Sequence, residues 1–61
     1  MTKDELFQLY KQVQNKNRFA EERLILEHSI RYPRNPINKL KRGDCAEYRL
    51  NLHTMYLHLT R

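Results

Sequence analysis

Glycine, proline and cysteine are scarce in this chain of 61 residues, which has one glycine, two prolines and one cysteine. A lone cysteine excludes a disulfide within the chain, and one glycine cannot build a glycine-rich phosphate loop. Turn residues are too few for a β-domain with a turn about every ten residues. The sequence also lacks an apolar run near the roughly 20 residues of a membrane helix and the apolar stretch of a signal peptide. We therefore expect a cytoplasmic protein without membrane contact, in a compartment that keeps the thiol reduced.

Short length limits the core that the chain can build. A single domain of this size buries only about 60% of the surface that its unfolded chain exposes. Small domains commonly compensate by disulfides, metal ions, oligomerisation or very efficient packing. The sequence has no pattern for disulfides or a metal site, which leaves self-association or very efficient packing, and of these two we favour self-association.

Apolar residues recur at three- and four-residue steps, which predicts an all-α protein. Thr2 and Glu5 fit a capping box before the first helix, and Asn35 before Pro36 fits a cap followed by proline at the first helical position. Gly43 and Asp44 are expected to close that third segment and to cap the last helix. One domain over residues 1–61 is predicted, with helical segments near 3–14, 18–31, 36–42 and 44–60. The architecture is a helical hairpin or a three-helix arrangement, completed by homodimerisation.

Two local alternatives stay open. The polar stretch 15–18 either separates two helices or lies within one continuous helix, since no glycine or proline forces a break there. Tyr48, Leu50 and Leu52 alternate as in a strand, but the alternation ends at consecutive apolar residues, 55–57, and a long helix accommodates more positions.

All of the net charge of +5 lies in one stretch, because Arg31, Arg34, Lys39, Lys41 and Arg42 follow one another without an acidic residue between them. Such a concentration of charge favours an anionic partner. The alternatives are phosphate contacts with nucleic acid, an acidic protein, or a solvated connection that aids solubility. A helix–turn–helix is disfavoured by the prolines and by the short segment 36–42.

Residues that carry catalytic or metal chemistry are present but lack the spacing for it. His53 and His58 are five residues apart and do not share a helical face, and His28 lies on another element, so we expect surface or half-buried histidines and no metal site. Cys45 belongs to an apolar stripe and is expected to be an inert packed thiol. Glu21 and Glu22 are adjacent, so they point apart on a helix. The sequence predicts no enzyme, no cofactor and no small-molecule substrate.

A partner surface is indicated by the last helix. Leu50 and Leu57 are seven residues apart and lie off its main apolar stripe, which leaves them exposed in a single hairpin. Large aromatic residues such as Phe19 and Tyr56 are expected in the core or in a dimer interface. The predicted interface with a second copy or another protein comprises Leu50, Leu52, Tyr56 and Leu57.

In size, charge and helix content the chain resembles the small accessory proteins of temperate phages, in particular of the lambdoid early region, and of plasmids. It is also similar in outline to plasmid RNA-binding helical hairpins that pair into four-helix bundles, although here the basic charge lies in a proline-containing connection. The resemblance implies a small regulatory or adaptor protein that binds a host or regulatory macromolecule. The alternative is a nucleic-acid-binding module, for DNA or RNA, that uses residues 31–42.

Overall fold

The first helix, α1, spans Lys3–Gln14 in a computed structural model that describes residues 1–39, 41, 43 and 45–61. The Thr2 hydroxyl accepts a hydrogen bond from the Glu5 amide at 3.2 Å, and acidic residues in the first turn suit the helix dipole. After α1 the chain turns sharply, with Lys16 in the left-handed conformation at a φ of 61°. The next helix is therefore separate, which settles the alternative between one helix and two.

The second helix, α2, spans Arg18–Arg31. The Asn17 side chain caps it by accepting from the Phe19 and Ala20 amides at 3.0 and 3.3 Å. It ends at Tyr32, directly before a proline that disfavours helical backbone at the preceding residue.

A single 3₁₀ turn, Pro36–Lys39, follows instead of a helix over 36–42. The Asn35 side chain caps it by accepting from the Ile37 amide at 3.1 Å. Lys41 is not helical, while Leu40 and Arg42 lie outside the described residues. A 3₁₀ segment of this length is typical, because its hydrogen-bond geometry is poorer than that of an α-helix.

The last helix, α3, spans Ala46–Leu59, so the interpretation of residues 48–57 as helix is confirmed. Its N-cap is Cys45, whose Sγ accepts from the Tyr48 amide at 3.4 Å. Asp44, the expected cap, lies outside the described residues, and among those described no residue is in a strand. Over the described residues the protein is thus all-helical with three α-helices, as one of the two predicted architectures requires.

α2 and α3 run parallel to each other. Glu21 near the start of α2 contacts Arg49 near the start of α3, and His28 contacts His58 near the other end. α1 runs antiparallel to both, since Val13 at its end lies beside Arg49. The chain between α2 and α3, residues 32–45, therefore returns along the length of the bundle; we call it the crossing segment. Of the two predicted architectures, the three-helix arrangement is therefore the one found.

One chain encloses its own apolar core, and its radius of gyration is 10.5 Å. The scaling for compact monomers gives about 10.5 Å for this length. Burial of a large apolar side chain contributes about 1.5–3 kcal/mol. The buried apolar residues are Leu6, Val13, Ala20, Leu24, Tyr48, Leu52 and Met55.

Within the described ranges, no helix has both the length and the apolar character needed to cross a membrane.

Candidate binding surface

Arg31, the first residue of the basic stretch, is engaged within the fold. Its guanidinium donates to the backbone carbonyls of Leu59 at 3.5 Å and Arg61 at 3.1 Å. These carbonyls lie at the C-terminal end of α3, where the helix dipole favours a cation. Arg31 therefore connects the C-terminal ends of α2 and α3, and its charge stabilises the fold.

The other described cations of the basic stretch are exposed. Arg34, Lys39 and Lys41 form no ion pair with any carboxylate of the described residues. By contrast, Arg23 pairs with Glu27 at 3.0 Å. The three cations therefore stay available to an anionic partner. Arg42 lies outside the described residues.

The crossing segment spreads these charges along the bundle. Arg34 follows the end of α2, whereas Lys39 and Lys41 line a surface cleft with Cys45, Glu47, Tyr48 and Asn51 near the start of α3. Eight to twelve residues of α3 separate that level from the Leu59 end, which is about 12–18 Å at 1.5 Å per residue. The basic stretch is consequently an extended row, and Glu47 partly offsets its charge within the cleft.

α3 turns two leucines outward beside that row. Leu50 is 63% exposed and Leu57 is 45% exposed. Asn51 lines the cleft that holds Lys39 and Lys41 and lies about 100° around the helix from Leu50, so the lysines lie on the side of α3 next to the leucine face. We call Leu50, Leu57, Lys39 and Lys41 the α3 surface.

The other two predicted interface residues lie inside the single chain. Leu52 is buried in the core. Tyr56 is half-buried and stacks on Tyr10, with ring centroids 4.2 Å apart and ring planes 7° from parallel. Both side chains hold α3 against its neighbours.

A buried histidine network fixes the crossing segment to the helices. The Asn38 amide nitrogen donates to the Tyr32 carbonyl at 2.7 Å, so its oxygen accepts from His28 Nδ1 at 2.5 Å. His28 Nε2 is then an acceptor when the ring is neutral, and His58 Nδ1 donates to it at 2.9 Å.

The expectation that all three histidines are at least partly exposed was wrong for His28, which is fully buried. The four-residue spacing of Ala20, Leu24 and His28 places them on one face of α2, and this spacing could have predicted the burial of His28. His58 is half-buried and His53 is exposed. Across the described part of the chain, no three His, Cys, Asp or Glu side chains are grouped to hold a metal ion.

A second polar cluster, which sequence reasoning missed, joins all three helices. Glu21 is buried and accepts from the Tyr48 hydroxyl at 2.8 Å and from Arg49 at 2.7 Å. Arg49 also donates to the Val13 carbonyl at 2.5 Å, at the end of α1. No local pattern marked Glu21, because an acidic residue in the first turn of a helix is ordinary in itself.

The Tyr10 hydroxyl on α1 has a displaced pKa. Burial raises the pKa of Tyr10 above its usual 10.0, and the neighbouring Tyr56 acts in the same direction. The Arg49 charge and a hydrogen bond with Gln14 oppose this rise in the pKa. The hydroxyl is therefore neutral near pH 7, where its 2.7 Å contact with His53 Nδ1 joins α1 to α3.

Cys45, expected to be packed, is instead exposed at the start of α3. Its sulfur serves as the helix cap described above.

Comparison of the chain with known family models, curated proteins and solved structures finds no match.

Proposed function

We propose that this chain is a small regulatory or adaptor protein that binds another protein through the α3 surface. The observation that carries the proposal is the exposure of Leu50 and Leu57 beside two lysines that have no carboxylate partner among the described residues. Apolar side chains at this spacing fit an amphipathic helix. The neighbouring cations favour acidic residues on that helix.

The two leucines supply part of the binding energy. Full burial of a leucine side chain contributes about 1.5–3 kcal/mol, so covering the exposed fractions of both contributes about 2–3 kcal/mol. A micromolar complex requires about 8 kcal/mol. The remainder would come from neighbouring contacts and from the lysines, which speed association and select acidic partners.

A nucleic acid is the second candidate partner. It is favoured by the exposure of Arg34, Lys39 and Lys41 in an extended row, since phosphates recur along a nucleic-acid backbone. Three phosphate contacts would give a slope of about −2 to −3 in a plot of log affinity against log salt. A partner held mainly by apolar contacts has a shallower slope.

Capture of partners from a cell lysate on the immobilised chain, with and without nuclease, separates the two candidates. We expect a polypeptide that is retained after nuclease treatment and lost when Leu50 and Leu57 are both changed to serine. The matched variant Lys39→Gln/Lys41→Gln should retain it more weakly. Capture that disappears with nuclease would favour the nucleic acid, and capture unaffected by either variant would place the binding surface elsewhere.

A further inference from the structure

The outward face of α2 carries three large apolar side chains that no described part of the chain covers. Phe19 is 84% exposed, Leu26 is 54% exposed and Ile30 is 69% exposed. At 100° per residue they fall within about 40° of one another around the helix, and Arg23 adjoins them. We call these four residues the α2 stripe. It lies opposite the face of α2 that packs into the core through Leu24 and His28.

The spacing of the residues along the α2 stripe is the same when it is counted from either end of the helix. Its members lie at positions 19, 23, 26 and 30, so the steps are four, three and four residues. A two-fold interface requires that residue i meets j while j meets i. Antiparallel pairing of two copies places Phe19 opposite Ile30 and Arg23 opposite Leu26, and the same pairs recur on the other side of the axis.

The charges also favour the antiparallel direction. A parallel pair would place Arg23 against Arg23 of the second copy, whereas the antiparallel pair places it against leucine. Each guanidinium already has a carboxylate on its own helix, because Arg23 Nε and Glu27 Oε1 are 3.0 Å apart. The aliphatic part of Arg23 can then cover the leucine while the charged end stays at the rim.

The positions that flank the stripe do not bring like charges together. In antiparallel helix pairs, flanking residues on the same side of each helix face one another. That geometry places Glu27 opposite Ala20 of the second copy and Glu22 opposite Ser29 of the second copy. No carboxylate faces another carboxylate across the pair.

The area of the stripe is sufficient for a weak dimer. Its three apolar side chains expose on the order of 400 Å², within the range of patches that are often functional on monomers. Two copies would bury at most about 800 Å² from these residues and more from the flanks, which is below the roughly 1,200 Å² of standard specific interfaces and typical of weak association.

From these observations we propose that two copies of this chain associate through antiparallel pairing of their α2 stripes. The dimer leaves the α3 surface of each copy free, so this inference is independent of the proposed function. It presents two α3 surfaces to partners.

Sedimentation equilibrium of the full chain over a range of concentrations tests the proposal. The parent should show a reversible monomer–dimer equilibrium. Leu26→Gln should raise the dissociation constant at least about tenfold, because both copies lose a buried leucine contact. The matched control Phe7→Gln, which changes an exposed apolar residue of α1, should leave it within about twofold. Circular dichroism checks that both variants keep the parent's helix content.

Complementary charges test the direction of pairing. Phe19→Lys alone and Ile30→Glu alone should each weaken self-association, whereas a mixture of the two variants should form a mixed dimer. Antiparallel pairing brings the introduced lysine opposite the introduced glutamate and leaves Ile30 against Phe19 in the other half. A parent that stays monomeric, or a dimer unaffected by Leu26→Gln, would overturn the proposal. A mixture that fails to associate would overturn the antiparallel register.

Discussion

Replacing Arg49 by methionine should destabilise the fold more than any other change to a charged residue that we consider. Arg49 is the only described side chain whose charged group contacts both α1 and α2 from α3, through the Val13 carbonyl and the Glu21 carboxylate. Methionine keeps most of the aliphatic stem, so the substitution mainly removes the guanidinium. The buried Glu21 carboxylate would then keep only the Tyr48 hydroxyl at 2.8 Å.

The magnitude follows from the burial of the pair. Removing one partner of a buried ion pair costs about 3–5 kcal/mol. The side chain of Arg49 is 26% exposed and that of Glu21 is 9% exposed, so the pair is not fully desolvated. We therefore expect a loss of about 2–4 kcal/mol, most of it from Glu21, because the Val13 carbonyl keeps the Lys16 amide as a donor at 3.0 Å. A domain of this length has a total stability of about 3–9 kcal/mol.

Urea denaturation followed by circular dichroism measures the change in unfolding free energy. The matched control Arg23→Gln removes an exposed pair with Glu27 and should cost less than about 1 kcal/mol. The double variant Arg49→Met/Glu21→Gln should recover at least about 1 kcal/mol of the loss, since no buried charge is left uncompensated. A cost for Arg49→Met no larger than that of the control would refute the reasoning, as would a double variant that is less stable than the single one.

Three further predictions concern the core, the crossing segment and the tyrosine pair. Leu52→Asp should abolish cooperative folding, because an unpaired carboxylate in the core costs several kcal/mol; an unchanged helical signal and melting curve would contradict the placement of α3. Asn38→Ala should lower the unfolding free energy by about 1–3 kcal/mol, since it removes hydrogen bonds with His28 and Tyr32; a change under about 0.5 kcal/mol in urea denaturation would argue against the network. The pKa of Tyr10 is higher in the folded chain than the 10.0 of the unfolded chain. The contribution of Tyr10 to stability is therefore present below pH 10.0 and is lost as the pH rises through the pKa of the folded chain. Tyr10→Phe should show a smaller fall in melting temperature, and equal falls would contradict the raised pKa.

Local signals in the sequence were sufficient to predict the helical class and much of the core. The predicted cap at Thr2 marks the start of α1 because its side chain has a specific amide to accept from, and the start of α2 lies in the polar stretch 15–18. Leu6, Val13 and Met55 belong to the apolar residues that recur at three- and four-residue steps, and all three are buried. These signals act within a few residues and do not depend on how the helices are arranged.

The direction of α3 was not predictable in this way. Prolines and charge in the crossing segment indicate a connection, but they do not show whether it turns back at once or returns along the bundle. The direction is set by contacts distant in sequence, such as His28 with His58. These contacts form only when the helices are packed.

The outward position of part of α2 was also missed. The apolar residues of this helix cover more of its circumference than one core can accept, so periodicity could not decide which side faces inward. The core takes Leu24, while Phe19 and Ile30 remain outside. The candidate binding site was partly predictable, since Leu50 and Leu57 are exposed as expected, whereas Leu52 is needed for the core.

Site-specific photo-cross-linking tests the proposed function most directly. A photoreactive amino acid would replace Leu57 on the α3 surface and, as a matched control, Gln8 on the exposed side of α1. After irradiation in a cell lysate treated with nuclease, we expect a covalent adduct with a different polypeptide at position 57 and none at position 8. An adduct with nucleic acid only, an adduct with a second copy of this chain only, or equal adducts at both positions would contradict the account.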